Sequence, residues 1–204
     1  MSLEQERSWL IEKIEIEAEE ALSVEEKRRI AKILIESEVW DGFMSKRFGQ
    51  VKRYGLEGSE AMLVSIDAMM RLAGEELNHV VIGMPHRGRL NLMVGLLGYP
   101  AAGIFRKLKM GASELTGDGT ADVLSHLSCQ RTIESGGSRL AQATLLPNSS
   151  HLESVNPIVQ GFTYGLMMGE GQVVLPLQVH GDAAFNGQVP RHLVFHAIIA
   201  SREW

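Results

Sequence analysis

The sequence predicts an α/β domain with a mainly parallel sheet, preceded by amphipathic helices. Apolar residues recur at helical spacing in the first fifty residues, and short β-branched runs such as His79–Met84 follow. These runs alternate with helical patterns, which is typical of a parallel sheet with crossover helices. The expected organisation is a helical segment over residues 1–50, followed by an α/β domain from residue 51 onward.

The composition is that of a globular protein. Of the 204 residues, 45% are hydrophobic and 22% are charged, which suffices for one domain with a hydrophobic core. The formal charge of -5 gives no overall attraction to nucleic acid or to anionic membrane. No apolar run approaches the roughly 18 residues that span a bilayer. We therefore expect neither nucleic acid nor membrane as a partner. The single cysteine, Cys129, excludes an internal disulfide and indicates a reducing compartment.

Two helices are predicted in the first part of the chain. Ser23 and Glu26 have the spacing of a capping box, and a helical stripe follows them. The apolar positions of this stripe are Ile30, Ile33, Leu34, Trp40, Phe43 and Met44. A second helix is expected from about Ser59 to Ala73, with Gly74 placed to end it in a left-handed conformation. The first helix is assigned no chemistry.

Three strands are predicted in the rest of the chain. The first, His79–Met84, leads through a loop into a helix expected over Leu90–Leu97. The second lies at Ala143–Leu146 and the third at Gln172–His180, while Leu127–Leu140 has little periodicity and is expected to be a loop. Parallel sheets bind ligands beyond the carboxyl ends of their strands, so the loops after the first and third strands are candidate site segments.

The loop Pro85–Arg89 carries a histidine and two arginines just before a helix. Guanidinium groups and free helix amides suit phosphate oxygens. The imidazole of His86 suits a hydrogen bond to a substrate carboxylate. A solvated basic turn is the alternative interpretation, and the spacing alone leaves both open.

The segment after the third strand places a carboxylate between small residues. Asp182 can approach a divalent cation without steric obstruction, and Mg2+ takes such oxygen ligands. A simple turn is the alternative. His126 and Ser150–His151 are two further candidates for ligand-binding side chains. His126 is also consistent with a histidine at the edge of a core. Ser150–His151 is also consistent with the cap and first turn of a helix.

Several common motifs are missing from the sequence. It contains no Gly-x-x-x-x-Gly-Lys phosphate loop, no dinucleotide-binding glycine fingerprint and no Cys/His spacing for structural zinc. No Gly-x-Ser-x-Gly turn supports a Ser-His-Asp triad. The corresponding enzyme classes are therefore disfavoured.

Five segments, taken together and in this order, resemble the 2-oxoglutarate dehydrogenase family. They are Lys52–Gly58, Gly83–Asn91, Asp122–Leu127, Pro147–Glu153 and His180–Phe185. A second set is closer to the 2-oxoadipate branch of that family, namely Ile104–Leu108, Val123–Leu127 and Leu145–Asn148. The resemblance covers most of residues 5–188. It therefore implies that the α/β domain comprises residues 51–188 and that residues 189–204 are a divergent tail.

The resemblance implies a thiamine-diphosphate-binding fold, with thiamine diphosphate and Mg2+ as cofactors. Asp182 would be the magnesium-binding aspartate. Arg87 would contact the thiamine diphosphate, and Ala183 and Ala184 would line the cofactor beside Asp182.

The resemblance also implies three catalytic histidines. His86 and His126 would face the 2-oxoacid, and His151 would form a wall of the same pocket. In the family's reaction the cofactor accepts the electrons released as carbon dioxide departs, while imidazoles donate to the developing oxygen charges. The substrate is 2-oxoglutarate or 2-oxoadipate, and these differ by one methylene, which discriminates by only about 1–3 kcal/mol.

The implied partners are a lipoyl acyltransferase, which receives the acyl group, and a second subunit in a homodimer. The implied compartment is the mitochondrial matrix. The acidic amino terminus shows no presequence, so either the protein is cytoplasmic or a presequence lies upstream. The family chain is several times longer and takes further magnesium ligands and an activating glutamate from later segments. We therefore expect a fragment that is inactive alone. A truncated product acting as a subunit-binding module is the alternative.

Overall fold

The structure is a computed structural model, and it describes residues 3–16, 22–73, 76–110, 124–135, 138–148, 151–181 and 184. The chain divides into two compact units, Met1–Lys32 and Ile33–Trp204. The first unit contains α1 (Leu3–Ile11), a π-helix (Glu12–Ile16) and the beginning of α2 (Val24–Arg47). The predicted capping box is confirmed there. The Glu26 amide donates to Ser23 Oγ at 3.2 Å, and the Ser23 amide donates to Glu26 Oε2 at 3.0 Å.

The second unit alternates helices and strands. The elements after α2 are α3 (Ala61–Ala73), β1 (His79–Gly83), α4 (Arg89–Asn91), a π-helix (Leu92–Leu96), α5 (Ala101–Met110), a 3₁₀ helix (Leu124–His126), β2 (Cys129–Ser135), β3 (Ser138–Leu145), α6 (Asn156–Glu170) and β4 (Val174–Gln178). The predicted second helix and the three predicted strands are confirmed to within a few residues, except that β3 begins earlier. Gly74, the expected end of a helix, lies outside the described residues.

The four strands form one mixed sheet in the order β2-β3-β1-β4. β1 pairs in parallel with β3, where Ile82 lies opposite Leu145, and with β4, where Gly83 lies opposite Gln178. β2 pairs with β3 in the antiparallel sense. The prediction of an α/β fold with a mainly parallel sheet is therefore confirmed.

The prediction of a loop over Leu127–Leu140 is wrong. β2 occupies Cys129–Ser135 and β3 begins at Ser138. β2 lies at one edge of the described sheet, and its side chains Gln130 and Arg131 are exposed. An edge strand can carry polar side chains without a strict apolar alternation, so periodicity gives it little signal.

Helices bury both faces of the sheet. Val80 and Ile82 belong to the main core, which also contains Met44, Leu63, Ile66, Met70, Leu90, Leu92, Met93, Leu97 and Ile104. Val81 instead belongs to a second cluster with Leu146, Val155 and Val159 on the α6 side. Successive side chains of a strand point to opposite faces of the sheet. Because both faces are buried here, the sequence of β1 is a nearly continuous apolar run.

Helix α6 touches the end of β1 and leaves its other side exposed. A Cβ at Gly83 would collide with the side chain of Val159, so this close approach requires glycine. The exposed side includes Ile158, Phe162 and Met168, and residues 156–169 contain no charged side chain. No helix among the described residues is long and apolar enough to cross a membrane.

Candidate active site

Several segments meet at the carboxyl edge of the sheet, defined here as the edge formed by the carboxyl ends of β1, β3 and β4. Because these strands run in parallel, the residues that follow Gly83, Leu145 and Gln178 lie at the same edge. β2 runs in the opposite direction, with Cys129 opposite Leu145. The 3₁₀ helix that precedes β2 and ends at His126 therefore lies at this edge too.

His86 is held against an aromatic ring in the loop after β1. Its imidazole centroid lies 4.0 Å from the ring centroid of Tyr54, with the two planes at 38°. The Gly88 amide donates to the Tyr54 carbonyl at 2.9 Å and ties the two loops together. Burial, and then the neighbouring Arg87 charge, hold the pKa of His86 below its usual range. The imidazole is therefore neutral at neutral pH.

A glycine in a left-handed conformation separates two arginines, of which one is exposed and the other is buried. Gly88 has φ +72°, and a Cβ there would approach Leu56 Cδ1 at 2.6 Å. Arg87, before the glycine, is exposed, and its Nη1 lies 3.5 Å from the Gly55 carbonyl. Arg89, after the glycine, is completely buried. Of the two guanidinium groups that the sequence offers to a phosphate, only that of Arg87 faces solvent.

A buried carboxylate supports the loop that carries Tyr54. Asp41 Oδ2 accepts hydrogen bonds from the Leu56 amide at 2.8 Å and from Asn91 Nδ2 at 3.0 Å. Asn91 Nδ2 also donates to Ser37 Oγ at 3.0 Å. Burial raises the pKa of Asp41, and the bonds from Leu56 and Asn91 oppose that rise. The helix α2 thus fixes one side of the His86 environment.

A histidine–carboxylate pair joins the loops after β3 and β4. His180 Nδ1 lies 3.0 and 3.1 Å from the two carboxylate oxygens of Glu153, and Asn156 Nδ2 donates to Glu153 Oε2 at 2.7 Å. Glu153 has φ +67°, a left-handed conformation that is strained for a residue with a side chain. No local pattern in the sequence predicts this pair, since 27 residues separate its members.

Known proteins identify the family whose motifs meet at this edge. No family model matches the chain. It is 41% identical over 200 residues to the 2-oxoadipate dehydrogenase complex component E1 of Danio rerio, covering 90% of this chain and 22% of that protein. It is 44% identical over 192 residues to a probable homolog of that component from Dictyostelium discoideum, covering 90% and 21%. It is 36% identical over 189 residues to the 2-oxoglutarate dehydrogenase E1/E2 component of Corynebacterium glutamicum, covering 89% and 15%. About nine tenths of the chain is thus similar in sequence to E1 components of these two kinds.

The chain spans about one fifth of the length of the 2-oxoadipate dehydrogenase relatives that it matches. The predicted family and its 2-oxoadipate branch are confirmed by these relatives. The expectation that the match covers only a part of the family chain is confirmed as well.

The three histidines predicted to be catalytic have different environments. His86 is half-buried under Tyr54, and His126 is half-buried at the end of the 3₁₀ helix. His151 is exposed in the turn that precedes α6, which begins only at Asn156. Their roles stay predictions.

The residues predicted to hold the cofactor lie at the same edge where the structure describes them. Arg87 is exposed in the loop after β1, and Ala184 is buried after β4 with its amide donating to the Gly181 carbonyl at 3.3 Å. Asp182 and Ala183 lie outside the described residues. Within the described ranges no three His, Cys, Asp or Glu side chains are grouped to hold a metal ion.

Proposed function

We propose that this chain carries part of the thiamine diphosphate site of an E1 subunit that decarboxylates 2-oxoadipate or 2-oxoglutarate. One observation carries the proposal. The motif segments that are distant in sequence, around His86, His126, Asn148 and His180, meet at one edge of the sheet. That edge is where α/β folds bind their ligands.

The described residues fit the anionic part of thiamine diphosphate. Arg87 is an exposed guanidinium at the carboxyl edge, and guanidinium groups bind phosphate oxygens by paired hydrogen bonds. Among the described residues, a Cβ at Gly181 would meet only Ala184 Cβ, at 3.8 Å, so Gly181 and Ala184 leave room between them after β4. In this proposal Asp182 supplies an oxygen ligand to Mg2+, and Ala183 and Ala184 line the diphosphate.

The chain's own residues bind and orient the substrate. When bound, the cofactor accepts the electron pair released as carbon dioxide departs. His86 is neutral at neutral pH, so it can donate one N–H to a substrate oxygen as negative charge develops there. The Tyr54 ring fixes the plane of that imidazole. His126 and His151 complete the polar wall of the pocket in this proposal.

The proposed partners follow the family. The relatives are named as components of 2-oxoadipate and 2-oxoglutarate dehydrogenase complexes. We propose a lipoyl acyltransferase as the acyl acceptor and the mitochondrial matrix as the compartment.

A second E1 copy is proposed to cover the uncharged exposed side of α6. We expect Phe162→Glu to weaken self-association in sedimentation experiments. The control Leu72→Glu changes an equally apolar, exposed residue of α3 and should have no effect.

Calorimetric titration of the 204-residue chain with thiamine diphosphate and Mg2+ tests the proposal. We expect saturable, magnesium-dependent binding that is lost in Asp182→Ala and weakened at least tenfold in Arg87→Ala. Arg106→Ala removes an exposed arginine of α5 and should bind as the wild type does. No binding by a chain that circular dichroism shows to be folded would refute a cofactor site in this chain. Co-purification with a full-length E1 subunit would then favour the subunit-binding module.

A further inference from the structure

Arg89 is the fully buried arginine of the carboxyl edge, with 0% of its surface exposed. Its Nε and Nη2 donate to the Leu127 carbonyl at 2.8 and 2.5 Å. Its Nη1 donates to the Met84 carbonyl at 3.3 Å, and Nη2 also donates to the Leu146 carbonyl. All of these acceptors are backbone oxygens.

Burying this cation is costly. A buried charge loses its hydration, and these carbonyls are the hydrogen-bond acceptors that offset the loss. Burial lowers the pKa of Arg89 to about 10, so the group is still protonated at neutral pH. A methionine or leucine would fill the same volume without that cost. The arginine therefore needs an explanation other than filling of the core.

The three acceptors belong to three different loops of the site. Met84 lies two residues before His86, Leu127 follows His126 directly, and Leu146 lies two residues before Asn148. Only arginine presents several N–H groups in a rigid planar fork, so one side chain can fix three carbonyls at once.

We propose that Arg89 is a positioning residue that sets the relative placement of the loops carrying His86, His126 and Asn148. The inference deepens the proposed function and rests on it for the identity of the ligand. Arg89 itself touches neither the cofactor nor the substrate in this role. The loops are held in the geometry of the site before any ligand arrives.

Cofactor titration of Arg89 variants is the first test. Arg89→Lys keeps the charge and loses the fork, while Arg89→Met loses both. We expect thiamine diphosphate to bind about 10- to 100-fold more weakly to each of them, as when groups that orient a binding site are removed. Arg131→Met is the matched control, since the exposed Arg131 donates to a single carbonyl, that of Leu96, at 3.4 Å. It should bind as the wild type does.

Histidine resonances give a second readout that needs no cofactor. In chains with isotope-labelled histidine, we expect the signals of His86 and His126 to shift or broaden in Arg89→Lys. The signal of His79, at the opposite end of β1, should stay unchanged. Ethylguanidinium added to Arg89→Ala should restore the wild-type signals of His86 and His126, because it returns the missing donor group.

The outcomes separate the two proposals. If the wild type binds no cofactor, the proposed function fails, and the histidine signals alone decide the role of Arg89. If folded Arg89→Lys keeps wild-type affinity and wild-type His86 and His126 signals, Arg89 is not a positioning residue. If every Arg89 variant fails to fold, and ethylguanidinium restores only folding, Arg89 serves the fold alone and the inference is wrong.

Discussion

The two ends of the parallel sheet are held together by different chemistry. At the carboxyl edge, the buried Arg89 binds three carbonyls, and Glu153 pairs with His180. At the opposite end, defined here as the amino edge, a neutral side chain joins the segments that precede β1 and β4. Asn78 Oδ1 accepts from the Val173 amide at 2.8 Å. From the amino end of β1, the His79 ring reaches along the sheet to Thr144 in β3, with Nε2 2.8 Å from Oγ1.

The difference shows that the fold retains interactions with a large desolvation cost at the carboxyl edge. At the amino edge, neutral hydrogen bonds such as those between Asn78 and Val173 hold the segments before β1 and β4 together. Burying charged groups has a large desolvation cost, and three loops at the carboxyl edge are nevertheless fixed by one. Charged groups with several donors or acceptors can orient loops that have no regular pairing of their own. The carboxyl edge is therefore organised in advance of binding, as a site requires.

The largest expected effect is at Asp41, which supports the loop beside His86. Asp41→Ala leaves the Leu56 amide without its acceptor and removes one acceptor of Asn91. We expect the free energy of unfolding to fall by about 2–4 kcal/mol, as for buried donors that lose their partners. Urea unfolding followed by circular dichroism measures it. A loss below about 0.5 kcal/mol would show that water replaces the carboxylate.

Asp41→Asn is the matched control and also tests pH dependence. The Asn oxygen can accept both bonds, so we expect stability within about 1 kcal/mol of the wild type. The folded pKa of Asp41 is raised above its ordinary 3.8. Its stabilising contribution is therefore complete below that pH and is lost as the pH rises through the folded pKa. The wild type should lose stability relative to Asp41→Asn over that interval.

A smaller effect is expected from paired substitutions at Glu153. Both Glu153→Ala and Glu153→Gly remove the bonds to His180 and Asn156, and we expect each to lose about 1–2 kcal/mol from them. Glycine also relieves the left-handed backbone, so Glu153→Gly should be more stable than Glu153→Ala by about 1 kcal/mol. Equal stability of the two variants in urea unfolding would contradict strain at this position.

Thr144→Val, a change in β3, should have a still smaller effect. It preserves the shape of the side chain and removes the hydroxyl that contacts His79. We expect a loss of about 1 kcal/mol, typical of one neutral hydrogen bond. Cofactor binding should be unchanged, because valine keeps the shape and the backbone pairing of Thr144, and the lost hydroxyl faces His79 at the amino end of β1. A loss of affinity in the titration would instead mean that the contact between His79 and Thr144 is coupled to the site.

The smallest change in stability is expected for Arg87→Gln, which sharpens the contrast with Arg89. Arg87 is exposed, so the free energy of unfolding should change by less than about 0.5 kcal/mol. Removing its charge should raise the pKa of His86 toward the ordinary 6.5, while burial still holds that pKa below it. Titration of the His86 resonance by NMR measures the shift. A pKa that falls or stays constant would refute this electrostatic account.

Local signals in the sequence predicted much of the fold. The capping box of Ser23 and Glu26 and the apolar run of β1 depend on neighbouring residues, and both are confirmed. The strand β2 was missed, because an edge strand with polar side chains resembles a loop in its periodicity.

The candidate site was predictable only in its residue types and order. From the sequence, Arg87 and Arg89 are both predicted to be cations suited to binding phosphate. The left-handed turn at Gly88 sends one to solvent and the other into the core. The pairing of Glu153 with His180 depends on which loops the sheet brings together, and no local pattern encodes that.

The hydrogen bonds of Arg89 also bear on the order of folding. Its acceptors lie 5, 38 and 57 residues away along the chain. The guanidinium can lose its hydration only after β3 has docked on β1, because the Leu146 carbonyl arrives with that strand. We therefore expect these bonds to be absent from the folding transition state. Arg89→Lys should then speed unfolding and leave the folding rate nearly unchanged in stopped-flow experiments. The site would be the last part of the sheet to become native and the first to open.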